Sequence, residues 1–130
     1  MLKLERARIR YGWHIPLNVC AEGLSLGHYG SIIINSKARI GKFCRIHVGT
    51  CIGAKAGTED ACPVIGDYVY IGPGAKIFGN VVIGNETAIG ANAVVTKSFK
   101  EGHVVITGIP AKVSGCLEYN DYVRRDCGRG

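Results

Sequence analysis

Residues 65–95 read IGDYVYIGPGAKIFGNVVIGNETAIGANAVV, with an isoleucine or valine at every sixth place: Ile65, Ile71, Ile77, Ile83, Ile89 and Val95. Most of them are followed by glycine. A helix repeats its apolar face every 3.6 residues and a half-buried strand every 2, so neither fits a period of six over such a length. The period is that of a hexapeptide β-helix, in which each six-residue unit is a short strand and a turn. Three units close a triangular coil, and the apolar residue points into the prism. The same phase runs earlier through Ile34, Ile40, Ile46 and Ile52, and it resumes at Ile65 after an interruption. Ala38, Cys44, Ala56, Val69, Ala75, Val81 and Thr87 stand four places after an apolar position or its equivalent. They are expected to complete the interior.

The fold class is therefore all-β, one prism with one protruding loop near residues 58–64. A chain of 130 residues has room for a single core, and 47% hydrophobic with 20% charged residues is a soluble globular composition. Nineteen glycines against four prolines exclude collagen and assign glycine to corners. No apolar run reaches the roughly 18 residues of a membrane span. Met1–Tyr11 alternates Leu with Lys, Glu and Arg where a signal peptide would be apolar, so the expected location is cytoplasmic.

Six cysteines raise the question of a metal site. Cys20, Cys44, Cys51, Cys62, Cys116 and Cys127 contain no C-x-x-C pair and no Cys/His cluster, so no metal is expected. Cys20 and Cys44 fall on inward phases, where a reduced thiol serves as a small hydrophobe. The net charge of +6, with Lys3, Arg6, Arg8, Arg10, Arg124 and Arg125 near the ends, comes without a recognition helix, zinc finger or aromatic RNA-binding motif. Nucleic acid is set aside, and the charges are assigned to solvated faces or a phosphorylated small ligand.

Residues 1–13 read as a lead-in, either a helical turn or an edge strand; 14–115 as the β-helix; 116–130 as a polar, mobile tail. Two breaks interrupt the repeat. Leu26 to Ile33 is eight residues where six are due, and the surplus falls at Gly27-His28-Tyr29-Gly30. Glycines around a histidine permit a bulge there. The second break, Thr58 to Val64, carries Glu59, Asp60 and Cys62 and is too long for a corner.

With Tyr11-Gly12 before Ile15-Pro16, the Gly27-His28-Tyr29-Gly30 bulge, Pro63-Val64-Ile65-Gly66-Asp67, Tyr70-Ile71-Gly72 and Gly108-Ile109-Pro110-Ala111-Lys112, the chain resembles the hexapeptide-repeat acyltransferases. The branch it is similar to contains serine acetyltransferases and polysaccharide O-acetyltransferases. The resemblance implies a left-handed parallel β-helix, a homotrimer, and acetyl-CoA lying between neighbouring prisms. It implies His28 as general base, since an imidazole with a pKa near 6.5 can take a hydroxyl proton at neutral pH. By motif match it implies Gly72, Pro73, Ala91, Thr96, Lys97 and Lys112 as the coenzyme A contacts. Outward or merely hydrogen-bonded roles are expected for His14, His47 and His103.

Serine acetyltransferases place an Asp before the catalytic His and an Arg-His pair before the Pro of the next hexad. Here those places hold Gly27, Ala61 and Cys62. An Asp due fifteen residues before His28 falls at Trp13. Glu22, Glu59 or Asp60 are the candidates to orient the imidazole in its stead. Loss of charge at three places favours a carbohydrate hydroxyl, as in capsular or exopolysaccharide precursors, over L-serine, which carries an ammonium and a carboxylate. Serine O-acetylation is the alternative, and a non-catalytic scaffold or binding module is the second. Cys62 also leaves open a covalent acetyl-cysteine route.

Overall fold

The computed structural model describes residues 12–28, 30–58 and 60–123. Tyr11, Tyr29, Glu59, Arg124 and Arg125, on which parts of the sequence reading fell, lie outside them. Short strands wind around three faces. The first face carries β1 (Trp13–His14), β3 (Ile32–Ile34), β6 (Cys51–Gly53), β9 (Lys76–Phe78) and β12 (Val94–Val95). The second carries β4 (Arg39–Ile40), β7 (Val64–Ile65) and β10 (Val82–Ile83). The third carries β2 (Ser25–Leu26), β5 (Arg45–Ile46), β8 (Tyr70–Ile71), β11 (Ala88–Ile89), β13 (Val104–Thr107) and β14 (Lys112–Cys116). All pairings are parallel except the closing β13–β14 hairpin.

The register explains the period. Ile46, Ile71, Ile89 and Ile106 are stacked partners on the third face, as are Ile34, Ile52, Ile77 and Val95 on the first. Each of these side chains is fully buried. A parallel stack at about 4.8 Å per coil places like residues over like, and a β-branched chain packs well against its own kind. Truncating one of these isoleucines to alanine removes about 2–5 kcal/mol.

Beside each isoleucine sits the small residue two places earlier, and here the sequence reading needs one correction. Ala56 is exposed, because it lies in the loop rather than on an inward phase. Thr50 and Ala93 are the buried occupants of that row, along with Thr87. The two threonine hydroxyls are satisfied by carbonyls three residues back, His47 O at 2.8 Å and Gly84 O at 2.9 Å.

The chain turns at three edges, which are called here the histidine edge (third face to first), the groove edge (first to second) and the closing edge (second to third). At the closing edge Phe43, Tyr68, Glu86 and His103 all adopt φ of 53–57°, the left-handed conformation that folds a corner tightly. Carboxylate and amide side chains rivet this edge: Asp67 Oδ1 accepts from Lys42 N and Asn85 Oδ1 from Asp67 N, each at 2.8 Å. Phe43 and Tyr68 stack at 5.7 Å.

The polar C-terminal stretch is docked over residues 117–123, contrary to the expectation of a mobile tail. Asn120 is wholly buried, and its amide donates to Tyr68 O at 2.9 Å and Thr87 O at 3.0 Å. Its backbone N–H donates to Glu86 Oε2 at 2.8 Å, and Val123 is buried beside it. A single asparagine thereby ties together two carbonyls of adjacent coils, adding a second bond at Thr87 O to the one that Tyr70 N already donates. Among the described residues no helix is long and apolar enough to cross a membrane.

Candidate acyl-transfer site

Both breaks in the repeat are real, and they lie on different edges. At the histidine edge the run from Leu26 to Ile34 is two residues longer than Ile46 to Ile52, Ile71 to Ile77 or Ile89 to Val95 in the coils that follow. The surplus lifts His28 out of the wall, and its side chain is exposed. At the groove edge the loop occupies 54–61, displaced from the expected 58–64, because Cys62 and Pro63 have already returned to the core.

Gly27 is a glycine for room. Its φ lies outside the left-handed region, but a Cβ there would sit 2.3 Å from Nδ1 of His47. His47, expected to be outward or merely hydrogen-bonded, leans across the bare Gly27 and comes to rest 6.2 Å from His28, ring centre to ring centre. Its far side meets the edge of Tyr70 at 5.2 Å, and Tyr70 packs at 5.4 Å against Tyr122 of the docked C-terminal stretch. Burial, then the Arg45 guanidinium, then His28 hold the His47 pKa below its ordinary value. The signal for His47 was present in the sequence as a missing side chain at Gly27, but only the register between β2 and β5 connects the two positions.

The six residues matched to coenzyme A contacts are divided. Pro73 and Ala91 occupy the place of His28 two and three coils along the histidine edge. That is about 10 and 14 Å at the spacing of stacked strands. Gly72 is buried beside them, where a Cβ would lie 2.8 Å from Ala91 N, and the strip exposes only the small side chains of Pro73 and Ala91. Thr96 and Lys97 belong to the groove edge. Thr96 helps line a depression of about 990 Å³ with Lys55, Thr58, Ala61, Phe78 and Asn80. Lys97 lies 5.5 Å over the Phe99 ring. Lys112 opens β14 and is exposed at the end of the prism. One chain does not bring all six together.

Several expectations fail on burial or position. Cys62 is only 8% exposed and packs in the core, so it is not presented for a covalent acetyl-cysteine step. Glu22 lies at the closing edge beside Lys42, 3.8 Å away, and Asp60 on the groove loop pairs with Lys37. Neither sits on the edge of His28 in this chain, so neither orients it from within. His103 Nδ1 lies 3.2 Å from the carbonyls of Leu117 and Glu118, a structural role at the closing edge. His14 is exposed on β1. Among the described residues no cluster of three or more His, Cys, Asp or Glu side chains could hold a metal ion.

Comparison with known proteins finds the same hexapeptide repeat. The model of the bacterial transferase hexapeptide (six repeats) matches residues 62–97. A serine acetyltransferase of Mycobacterium tuberculosis is 35% identical over 113 residues, 85% of this chain and 49% of that protein. The structure of a Brucella abortus serine acetyltransferase in complex with coenzyme A superposes with a TM-score of 0.74 at 28% identity, covering 88% of this chain and 46% of the other. A soybean serine acetyltransferase complexed with serine superposes with a TM-score of 0.67 at 30% identity, covering 73% and 40%. The prism is thus a left-handed β-helix. The chain spans between 37% and 53% of the length of the curated relatives it matches.

Proposed function

We propose, from the premise that this chain is a hexapeptide-repeat protein of the bacterial transferase type, that it is an acetyl-CoA-dependent O-acetyltransferase acting on L-serine with His28 as general base. The observation that carries the reading is the widened corner: among the described residues, the one histidine edge turn with surplus residues is the one that holds an exposed imidazole, at the head of a strip that exposes only small side chains. An alcohol is a weak nucleophile at neutral pH. The His28 imidazole takes its proton as the oxygen attacks the thioester carbonyl. The tetrahedral intermediate collapses by breaking the C–S bond, and the imidazolium returns the proton to the departing thiolate. The Gly72–Pro73 and Ala91 strip is the track for the pantetheine arm, whose amides pair with main-chain groups, and Lys97 and Lys112 face the phosphates.

A homotrimer follows as part of this reading. His28 and the groove lie on different edges of one prism, so the site closes when the histidine edge of one subunit meets the groove edge of the next. The exposed Ile33 and Val64, 48% and 47% accessible on the two faces that flank the groove, gain cover in such an assembly. Asp60 would then reach the site from the neighbour.

The acceptor is where sequence and comparisons pull apart. The relatives are serine acetyltransferases, one of them with serine bound. The exposed Lys37–Asp60 pair offers both signs of charge on the groove edge, one residue from Ala61, and an amino acid needs both. The carbohydrate hydroxyl remains the second reading, on the observation that Gly27, Ala61 and Cys62 bring no charge of their own. Thiol release from acetyl-CoA with L-serine against a panel of nucleotide-activated and oligomeric sugars decides between them. The expected result is serine turnover above that of any sugar, falling at least about 10²-fold in His28→Ala with coenzyme A affinity within a few-fold. Turnover undiminished in a folded His28→Ala variant would falsify the assignment of the base.

A further inference from the structure

We propose that His47 is the residue that recognises the acceptor, its imidazole hydrogen-bonding a polar group of the acceptor beside the hydroxyl that His28 deprotonates. The assignment rests on the acetyl-transfer reading and adds to it the group that holds the second substrate.

Five coils place one residue each at the same point of the histidine edge: Gly27, His47, Gly72, Gly90 and Thr107. Only two of them have a side chain, and each leans back over the glycine of the coil before. Thr107 Cγ2 would lie 2.8 Å from a Cβ on Gly90, and His47 Nδ1 2.3 Å from one on Gly27. A side chain at this point therefore requires a glycine beneath it. Of the two, only His47 is directed at the widened corner that exposes His28.

The ring is built in rather than loose. It is bracketed by His28 and Tyr70, Tyr70 is backed by Tyr122, and Asn120 fixes the segment that carries Tyr122. Three parts of the chain, at residues 28, 70 and 120–122, thus determine the orientation of this half-buried imidazole. The groups facing it are the His28 imidazole, the Arg45 guanidinium on its own strand and the Tyr70 ring, with Tyr122 behind.

The spacing suits a ligand. Ring centres 6.2 Å apart leave room for a hydroxyl on His28 and a neighbouring polar group of the same molecule on His47, each about 2.8 Å from its ring nitrogen. The charge state suits it as well. Burial, then the Arg45 guanidinium, then His28 hold the His47 pKa below the ordinary value, which favours the neutral imidazole with one donor and one acceptor. It adds no positive charge against the imidazolium that His28 becomes when it takes the acceptor proton, which a lysine or arginine at the same place would do.

The test is steady-state kinetics of the full chain with L-serine and with the sugar panel, in wild type, His47→Phe and His47→Gln. Phenylalanine keeps the ring that packs between Gly27 and Tyr70 but removes both nitrogens, so the fold is retained. Glutamine restores one donor and one acceptor. In His47→Phe the acceptor KM should rise at least about fivefold, the loss of one hydrogen bond, while the acetyl-CoA KM stays within about twofold. In His47→Gln the acceptor KM should return to within about threefold of wild type. An unchanged acceptor KM in His47→Phe, or a parallel rise in both KM values, overturns the assignment while leaving the acetyltransferase reading intact. A wild-type chain inert toward serine and sugars alike overturns both.

Discussion

Replacing Gly27 by alanine puts one methyl group where the His47 ring already lies, and the consequences can be worked from the structure. The new Cβ would stand 2.3 Å from Nδ1, 2.7 Å from Cε1 and 3.0 Å from Cγ of His47. The ring cannot simply retreat, because the edge of Tyr70 is behind it at 5.2 Å. Overpacking of this kind costs about 1–3 kcal/mol. Against it stands the lower entropy of the unfolded alanine chain, about 0.4–1 kcal/mol, which applies because Gly27 is not in the left-handed region. A net loss of about 1–2 kcal/mol is expected. The diagnostic is the double variant Gly27→Ala/His47→Ala, in which the obstruction is gone and the two changes should couple by at least about 1 kcal/mol in the stabilising direction. Gly72→Ala is the contrasting case, since its Cβ would meet the backbone of Ala91 at 2.8 Å and of Ile89 at 2.9 Å, and deletion of a side chain cannot relieve that. Urea unfolding at fixed protein concentration measures all four, the concentration being held because association contributes to stability. A Gly27→Ala variant as stable as wild type, or strict additivity in the double variant, would refute the idea that Gly27 exists to admit His47.

Asn120→Ala removes the two buried hydrogen bonds that its amide donates to Tyr68 O and Thr87 O, a loss of about 1–3 kcal/mol at about 0.5–1.5 kcal/mol each, Thr87 O keeping its bond from Tyr70 N; hydrogen exchange should quicken over 117–123, and unchanged protection there would count against docking by this residue. Stability should also depend on pH through His47. Its folded pKa is depressed, so the unfolded chain binds the proton first as pH falls below the ordinary value of about 6.5. The contribution is fully present above that value and is lost as pH falls toward the lower folded pKa. His47→Gln should flatten that part of the acid limb, and an identical pH dependence in the two proteins would rule the linkage out.

The period of six was legible because a stacked coil forces identical environments at identical places: Ile71 lies over Ile46 and under Ile89, so the sequence must repeat what the prism repeats. The breaks were legible for the same reason, as departures from a fixed count, and they led directly to His28 and to the groove loop. Ala56 was misread because the phase was carried one unit too far into that loop. Which residues face each other across coils was not legible. Gly27 and His47 are twenty places apart, and the sequence shows an absent side chain at one and a histidine at the other with nothing to join them.

The sequence by itself determined the coil, its three-sided interior, the position of the exposed histidine and the kinship with acyltransferases, since each is written in local spacing or in a short motif. The tertiary structure alone decided that His47 fills the space above Gly27, that Cys62 is packed away from any substrate, that Glu22 and Asp60 sit on other edges than His28, and that the polar C-terminal stretch is docked by Asn120. The physical reason is that a six-residue period fixes only the direction in which a side chain points. What it meets depends on which coil lies above and below, and that depends on the two insertions, whose lengths change the register between residues far apart in the chain.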